Sequence, residues 1–154
     1  MSKDPIVPPG FIAAIHEMQG SCEADGDPIP PVFYEMAGKI VSFDLEQGTL
    51  KAIFPIQPRY QNPNGAMQGG MVAAAIDNAF GPLSSLVAPA SATMKMEIRY
   101  KKPVLAAYEH IIVEAKLDKK TGPFLKLSAT VKNNEGEILT TANTVHMILP
   151  VSEP

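Results

Sequence analysis

Cysteine is nearly absent from this 154-residue sequence: Cys22 is the single example. No intrachain disulfide can form, and one incidental thiol near the N-terminus fits a reducing, cytoplasmic setting. Clustered positive charge is also missing. The basic pairs Lys101-Lys102 and Lys119-Lys120 stand in a chain of formal net charge −3. Phosphate backbones need a concentrated basic surface, so nucleic acid is excluded as an expected partner. The longest apolar stretch, around Met71 to Ile76, is too short to span a bilayer. Met1-Ser2-Lys3-Asp4-Pro5 lacks the basic region and apolar run of a signal peptide, so no membrane partner is expected. No serine stands in a nucleophile-elbow pattern, which leaves a serine-hydrolase mechanism without support. Neither a cofactor nor a metal is expected.

What is present is ordinary for one globular domain with a real core: 45% hydrophobic and 19% charged residues. Phe11, Ile12, Ile15 and Met18 recur at helical spacing between Pro8-Pro9 and Gly20, which predicts a short amphipathic helix. Asp25 to Pro31 reads as an irregular connector. From Gly38 the period becomes two, and Ile40–Asp44 and Thr49–Pro55 flank a hairpin turn at Glu46-Gln47-Gly48. Gly70 to Val87 is apolar on most sides, predicting a helix buried on most sides, with Gly81-Pro82 expected to end or kink it. Beyond it, Met94, Met96, Ile98 and Tyr100 alternate with charged residues, predicting a strand with one buried face. His110–Leu117, Leu125–Lys132 and Ile138–Leu149 follow, the last two joined by the turn Asn133-Asn134-Glu135-Gly136. One buried helix followed by antiparallel strands implies an α+β architecture, a curved sheet wrapped around the helix. The division expected is an N-terminal helix and connector over 1–36 and a main domain over 37–150.

The stretch Asn62-Pro63-Asn64-Gly65-Ala66-Met67-Gln68-Gly69-Gly70 runs straight into that helix. Glycines at a helix entrance expose backbone N–H groups that lack intrahelical partners and lie at the positive end of the helix dipole. Such groups suit a carbonyl oxygen gaining negative charge. Asp77, two turns on, is the one ionisable group on the apolar helix. Two readings stand at this point. Gly69 and Gly70 permit tight packing while Asp77 accepts hydrogen bonds from a neighbouring strand, or the three residues form a reaction site.

The segment resembles the signature of hotdog-fold thioesterases of the phenylacetic-acid-pathway (PaaI-like) type, which reads N-x-x-G-x-x-H-G-G before a helix bearing an acid. Asn62, Gly65, Gln68, Gly69 and Gly70 match it in place, and Asp77 falls at the family's separation. Thr93 to Tyr100 followed by Pro103 is similar to the family's next segment, and the likeness covers roughly 38–149. The resemblance implies a hotdog fold that hydrolyses acyl-CoA to free acid and CoA. Asp77 would be general base or nucleophile, the Gly69 N–H the oxyanion donor, and Gly70 part of the same turn. Asn62 would orient the substrate carbonyl or the attacking water, and Thr93 would help place that water. Gly65 belongs to the substrate-binding loop. Arg99, with Arg59, Lys101 and Lys102, is a candidate for the phosphates of coenzyme A. Separately from the resemblance, Met67, Met71 and Met94 would supply an adaptable apolar pocket, and core filling explains them equally well. The acid and the glycine loop would come from opposite subunits, implying a homodimer or a dimer of dimers.

Gln68 replaces the family's histidine, and its amide is expected to brace the loop by side-chain hydrogen bonding. Asn78 is expected to pack against a partner subunit or cap a strand. Ser84 and Ser85 are candidates for lining the acyl pocket. His16, His110 and His146 read as ordinary core or surface residues. A non-catalytic acyl-CoA-binding or regulatory dimer is the alternative reading. An acyl-thioester dehydratase or hydratase is less favoured, because it wants a histidine beside Asp77 and none is evident in the sequence.

Overall fold

A computed structural model of the protein describes residues 6–20 and 27–150. Cys22 and the Met1–Pro5 segment lie outside the described residues. The order of elements is α1 (Phe11–Gln19), α2 (Pro31–Glu35), β1 (Lys39–Asp44), β2 (Thr49–Pro55), α3 (Gly69–Val87), β3 (Ser91–Tyr100), β4 (His110–Thr121), β5 (Phe124–Lys132) and β6 (Ile138–Ile148). Six strands form one sheet in the order β1-β2-β4-β5-β6-β3, every neighbouring pair antiparallel. Its alternating side chains put Leu50, Ala52, Phe54, Ile111, Val113, Leu125, Leu127 and Val131 on one face. The curved sheet closes that face over α3, which packs against β2, β3, β4 and β5.

Val72, Ile76, Ala79, Phe80, Leu83 and Leu86 form the buried stripe of α3. The opposite stripe is uncovered in this chain: Gly70 and Asp77 are exposed, and Ala73, Ala74, Gly81 and Ser85 are half-buried between them. The helix is therefore buried on most sides, as expected, since Ala75, Asn78, Pro82 and Ser84 are buried as well, and one stripe is left open. Apolar composition does not reveal the open stripe, because alanine and glycine occupy it. Nor does Pro82 end α3, which continues to Val87. Proline removes the donor that would meet the Asn78 carbonyl. The turn nonetheless holds, with Leu83 and Leu86 anchored in the core and the Ser84 hydroxyl donating to the Gly81 carbonyl at 2.7 Å.

The connector ends earlier than expected, since Pro31 opens α2 at a position where a missing N–H costs nothing. Phe11, Ile15, Ile29, Phe33 and Met36 join the same core as the sheet. Phe11 meets Phe43 of β1 edge-on at 5.4 Å, and Phe33 meets Phe54 of β2 in the same way at 5.4 Å. The Gln19 amide donates to the Ser85 and Ala88 carbonyls, both at 2.8 Å, tying α1 to the free carbonyls at the end of α3.

The β3 strand departs from simple alternation. Pairing with β6 slips between Thr93 and Lys95, so Met94 is an extra residue in a β-bulge. Met94 is 57% exposed and Tyr100 53%, while Met96 and Ile98 pack against the core from half-buried positions. The clean buried face expected for this strand is thus confined to its middle. The bulge sets the register so that Thr93, not Met94, lies opposite His146 of β6.

Candidate active site

The loop before α3 is organised by Asn62. Its side-chain oxygen accepts from the Asn64 N–H at 2.9 Å and the Ala66 N–H at 3.2 Å. Its main chain accepts from Gly65 and donates to Ala66. Gly65 has φ +79°, a conformation that favours glycine. With the oxygen committed to two backbone donors, the Asn62 amide N–H groups are the atoms left for a ligand. Gln68 sits at the N-cap but makes no side-chain capping bond. The expected side-chain brace is instead made by the main chain: Gln68 N–H donates to the Tyr60 carbonyl at 2.7 Å, and the Gln68 carbonyl accepts from Met71 and Val72. The Gln68 side chain is exposed, and its amide makes no hydrogen bond among the described residues.

Gly69 and Gly70 are the first two residues of α3, and neither N–H finds an acceptor among the described residues. A side chain at Gly70 would meet nothing within 4 Å, and one at Gly69 only the Tyr100 ring at 3.4 Å. Packing within this chain does not demand either glycine. Tyr100 closes over the turn, its hydroxyl donating to the Gly69 carbonyl at 2.7 Å. Asn62, Met67, Gly69, Tyr100, Lys101 and Lys102 share a cleft of ≈ 290 Å³. Lys102 is paired with Glu137 at 2.8 Å. Arg59 is held away by the Glu35 carbonyl at 2.9 Å, Gln57 and the Tyr60 ring. Arg99 is exposed on β3 opposite Thr141 and lines neither this cleft nor the one that holds Asp77.

Asp77 lies in a second cleft, of ≈ 370 Å³, with Thr93, Ser84 and Ser85. Pro28, Pro30 and Val32 wall it on the N-terminal side. The carboxylate is exposed here rather than buried, because the helix stripe that carries it is open. Asn78 is buried instead, donating to the Ala74 carbonyl at 2.8 Å and touching the Met36 sulfur at 3.6 Å. Within this chain it therefore secures α3 to its own preceding turn and to the α2 end, rather than capping a strand.

A histidine does stand beside the helix acid, contrary to expectation. His146, on β6, is 3% exposed and lines the Asp77 cleft. Its Nδ1 is 3.4 Å from the Ser91 hydroxyl and its Nε2 is 3.3 Å from the Thr93 hydroxyl. The Phe80 ring packs edge-on against the imidazole at 6.4 Å. Burial pushes the imidazole pKa below its ordinary value, and the Asp77 charge opposes that shift. Both nitrogens are thus occupied on a neutral ring. Sequence alternation placed His146 in a strand but gave no sign of its neighbours, because the β3 bulge decides them.

The structure brings Asp77 together with Thr93 in one cleft, and Asn62 together with Gly69 in another. Eight residues of helix separate Gly69 from Asp77, about 12 Å along the axis at ~1.5 Å per residue. The 470 Å³ hollow between β1, β2, β4 and β5 contains the Lys51–Glu114 ion pair and none of the motif residues. Among the described residues no cluster of His, Cys, Asp and Glu could hold a metal ion. No helix there is long and apolar enough to cross a membrane.

No family model matches the chain. No curated protein matches it either. Solved structures do. A phenylacetic acid degradation-related protein of Ralstonia eutropha JMP134 superposes with TM-score 0.73 at 21% identity, over 88% of this chain and 98% of that one. The PaaI protein of the E. coli phenylacetic acid degradation operon gives TM-score 0.71 at 13% identity, over 89% and 94%. A Streptococcus mutans UA159 protein solved with acetyl-CoA bound gives 0.67 at 17%, over 73% and 88%. The chain therefore has the hotdog fold.

Proposed function

We propose that the protein hydrolyses acyl-CoA thioesters, with one active site assembled from Asp77 of one subunit and the Gly69 loop of another. The observation that carries this reading is the open stripe of α3. It bears two unsatisfied N–H groups at one end, a carboxylate beside Thr93 at the other, and only small residues between. About 12 Å is too far for Asp77 and the Gly69 N–H of one chain to act on one carbonyl, since a base must reach its proton directly or through one water. Halfway between them lies Ala73. Two antiparallel copies of α3 crossing at Ala73 and Ala74 would set each Asp77 opposite the other subunit's Gly69. Helices meeting through small residues lie about 8 Å apart, which leaves room for a thioester carbonyl and a water.

In such a site the Gly69 N–H holds the carbonyl oxygen as it becomes an oxyanion. Asp77 takes a proton from water while the water oxygen attacks the carbonyl carbon. The C–S bond then breaks, and the proton passes from Asp77 to the departing thiolate. Thr93 holds the water, and the Asn62 amide donates toward the carbonyl or the thioester sulfur. The hotdog proteins that superpose on this chain include several named thioesterases and one with acetyl-CoA bound, which supports the substrate class.

The test is thiol release from acyl-CoAs of short, long and aromatic acyl groups. Asp77→Ala is expected to cut turnover at least ~100-fold in a folded protein, the scale of losing a catalytic proton acceptor. Near-normal turnover would remove Asp77 from the mechanism. Tight binding with no turnover in the wild type would instead favour a binding or regulatory protein. A hydratase finds less support, because both nitrogens of His146 are already engaged by hydroxyls.

A further inference from the structure

His146 is a buried, titratable side chain lining the Asp77 cleft that the proposed chemistry leaves unused. It lies directly across from Thr93 in the β3–β6 register, wedged against Phe80, which stands three residues after Asp77 on α3. Both hydroxyl contacts are at the long end for hydrogen bonds, as is common before a substrate is seated. Ser91, His146 and Thr93 thus form a short chain of polar groups that ends in the cleft beside Asp77.

We propose that His146 is a positioning residue acting through Thr93: its Nε2 accepts the Thr93 hydroxyl hydrogen and so turns the Thr93 oxygen toward the water that Asp77 activates. The inference rests on the thioester-hydrolase reading. A neutral imidazole has one donor and one acceptor, so only two arrangements are open to the chain. In one, Nδ1–H donates to Ser91 and Thr93 donates to Nε2. The Thr93 oxygen then offers lone pairs to the water. The water gives one hydrogen to Asp77 and the other to Thr93, which leaves its own lone pair free for the carbonyl carbon. In the other, Nε2–H occupies the Thr93 oxygen and the Thr93 hydrogen points into the cleft. It would then donate to one of the water's two lone pairs, drawing electron density from the attacking oxygen and leaving the water held by Asp77 through one hydrogen alone. The first arrangement serves hydrolysis better, because two acceptors orient the water and both lone pairs stay free. It also gives the bulge at Met94 a purpose, since the bulge is what turns Thr93 toward His146.

Two substitutions separate positioning from packing. Glutamine reaches the place of Nε2 and can present its amide oxygen to Thr93. Asparagine reaches only the place of Nδ1, facing Ser91, and leaves Thr93 free to rotate. We expect His146→Asn to lower kcat about tenfold with KM within about twofold, the scale of one hydrogen bond. His146→Gln should recover to within about threefold of wild type. On a Thr93→Ala background, His146→Asn should have no further effect, because the group it acts through is gone. Nitrogen-15 spectra of the imidazole at neutral pH should show Nδ1 protonated and Nε2 bare.

Equal kcat for the asparagine variant and wild type would overturn the inference, as would additive losses on the Thr93→Ala background or a protonated Nε2. If either His146 variant does not fold, the tautomer in the wild-type protein decides. Absence of thiol release by the wild type across the acyl-CoA panel would overturn the hydrolase reading itself. Wild-type turnover with an unimpaired asparagine variant would overturn only the role of His146.

Discussion

Gly69 can be tested at the level of a single atom. It is the first residue of α3, and Gln68 before it has φ −61° and ψ 138°. Proline is favoured at the first position of a helix, where its missing N–H had no helical partner, and it demands an extended residue before it. Gly69→Pro therefore deletes the proposed oxyanion donor with little disturbance of the backbone. Its Cβ meets only the Tyr100 ring at ordinary contact distance. We expect kcat for thioester hydrolysis to fall on the order of a hundredfold, the effect of losing one oxyanion-hole donor, with the melting temperature nearly unchanged. An equally active proline variant would mean that the carbonyl oxygen is bound elsewhere. The same reasoning separates Gly69 from Gly70, whose N–H is also unsatisfied: Gly70→Ala keeps that N–H and meets no neighbour in this chain. Any loss from it would report what approaches from outside.

Among the elements, the sheet and α3 were legible in the sequence because each buries a face of its own period. Leu50, Ala52 and Phe54 alternate, and Val72, Ile76, Phe80 and Leu83 recur at helical spacing. Asp77 and the glycine pair were legible too, since charge and glycine stand out on an apolar helix. Three features were not. The open stripe of α3 was hidden because alanine reads as apolar whether or not it is covered. Of the two outcomes expected at Pro82, an end or a kink, the helix's continuation to Val87 rules out the end, and packing rather than the local rule decides it. His146 beside Thr93 depends on a one-residue slip in pairing, which no periodicity reports. The N-terminal helix makes a testable case at this scale. Phe11 is fully buried and shares a core with β1, β2 and α3, so α1 should unfold with the sheet rather than separately. Phe11→Ala is expected to lower the unfolding free energy by about 3–4 kcal/mol through the lost contacts and the cavity left behind. Denaturant unfolding followed by sheet circular dichroism measures it. A sheet transition unmoved by the substitution would make 1–36 an independent appendage.

At the scale of the molecule, the two separate clefts make a prediction about stoichiometry. Every chain carries one Asp77 cleft and one Gly69 cleft, and the proposed active site takes one of each from different chains. In a two-fold dimer each subunit contributes the same pair of surfaces, so each dimer holds two active sites. Asp77→Ala homodimers lack the carboxylate in both, and Gly69→Pro homodimers lack the donor in both. A mixed dimer concentrates both lesions in one site and leaves the other intact. Random reassociation of equal amounts makes half the dimers mixed, each with one working site of two. Activity should therefore return to about a quarter of wild type from two nearly inactive parents. The measurement is thiol release after the two variants are unfolded together and refolded, against each variant refolded alone. Restoration near that level would establish that the site is shared between chains. No restoration, in a sample shown by tagged subunits to contain mixed dimers, would place both groups in a site within one chain. That outcome would require α3 to depart from the straight 12 Å separation its helical geometry now sets.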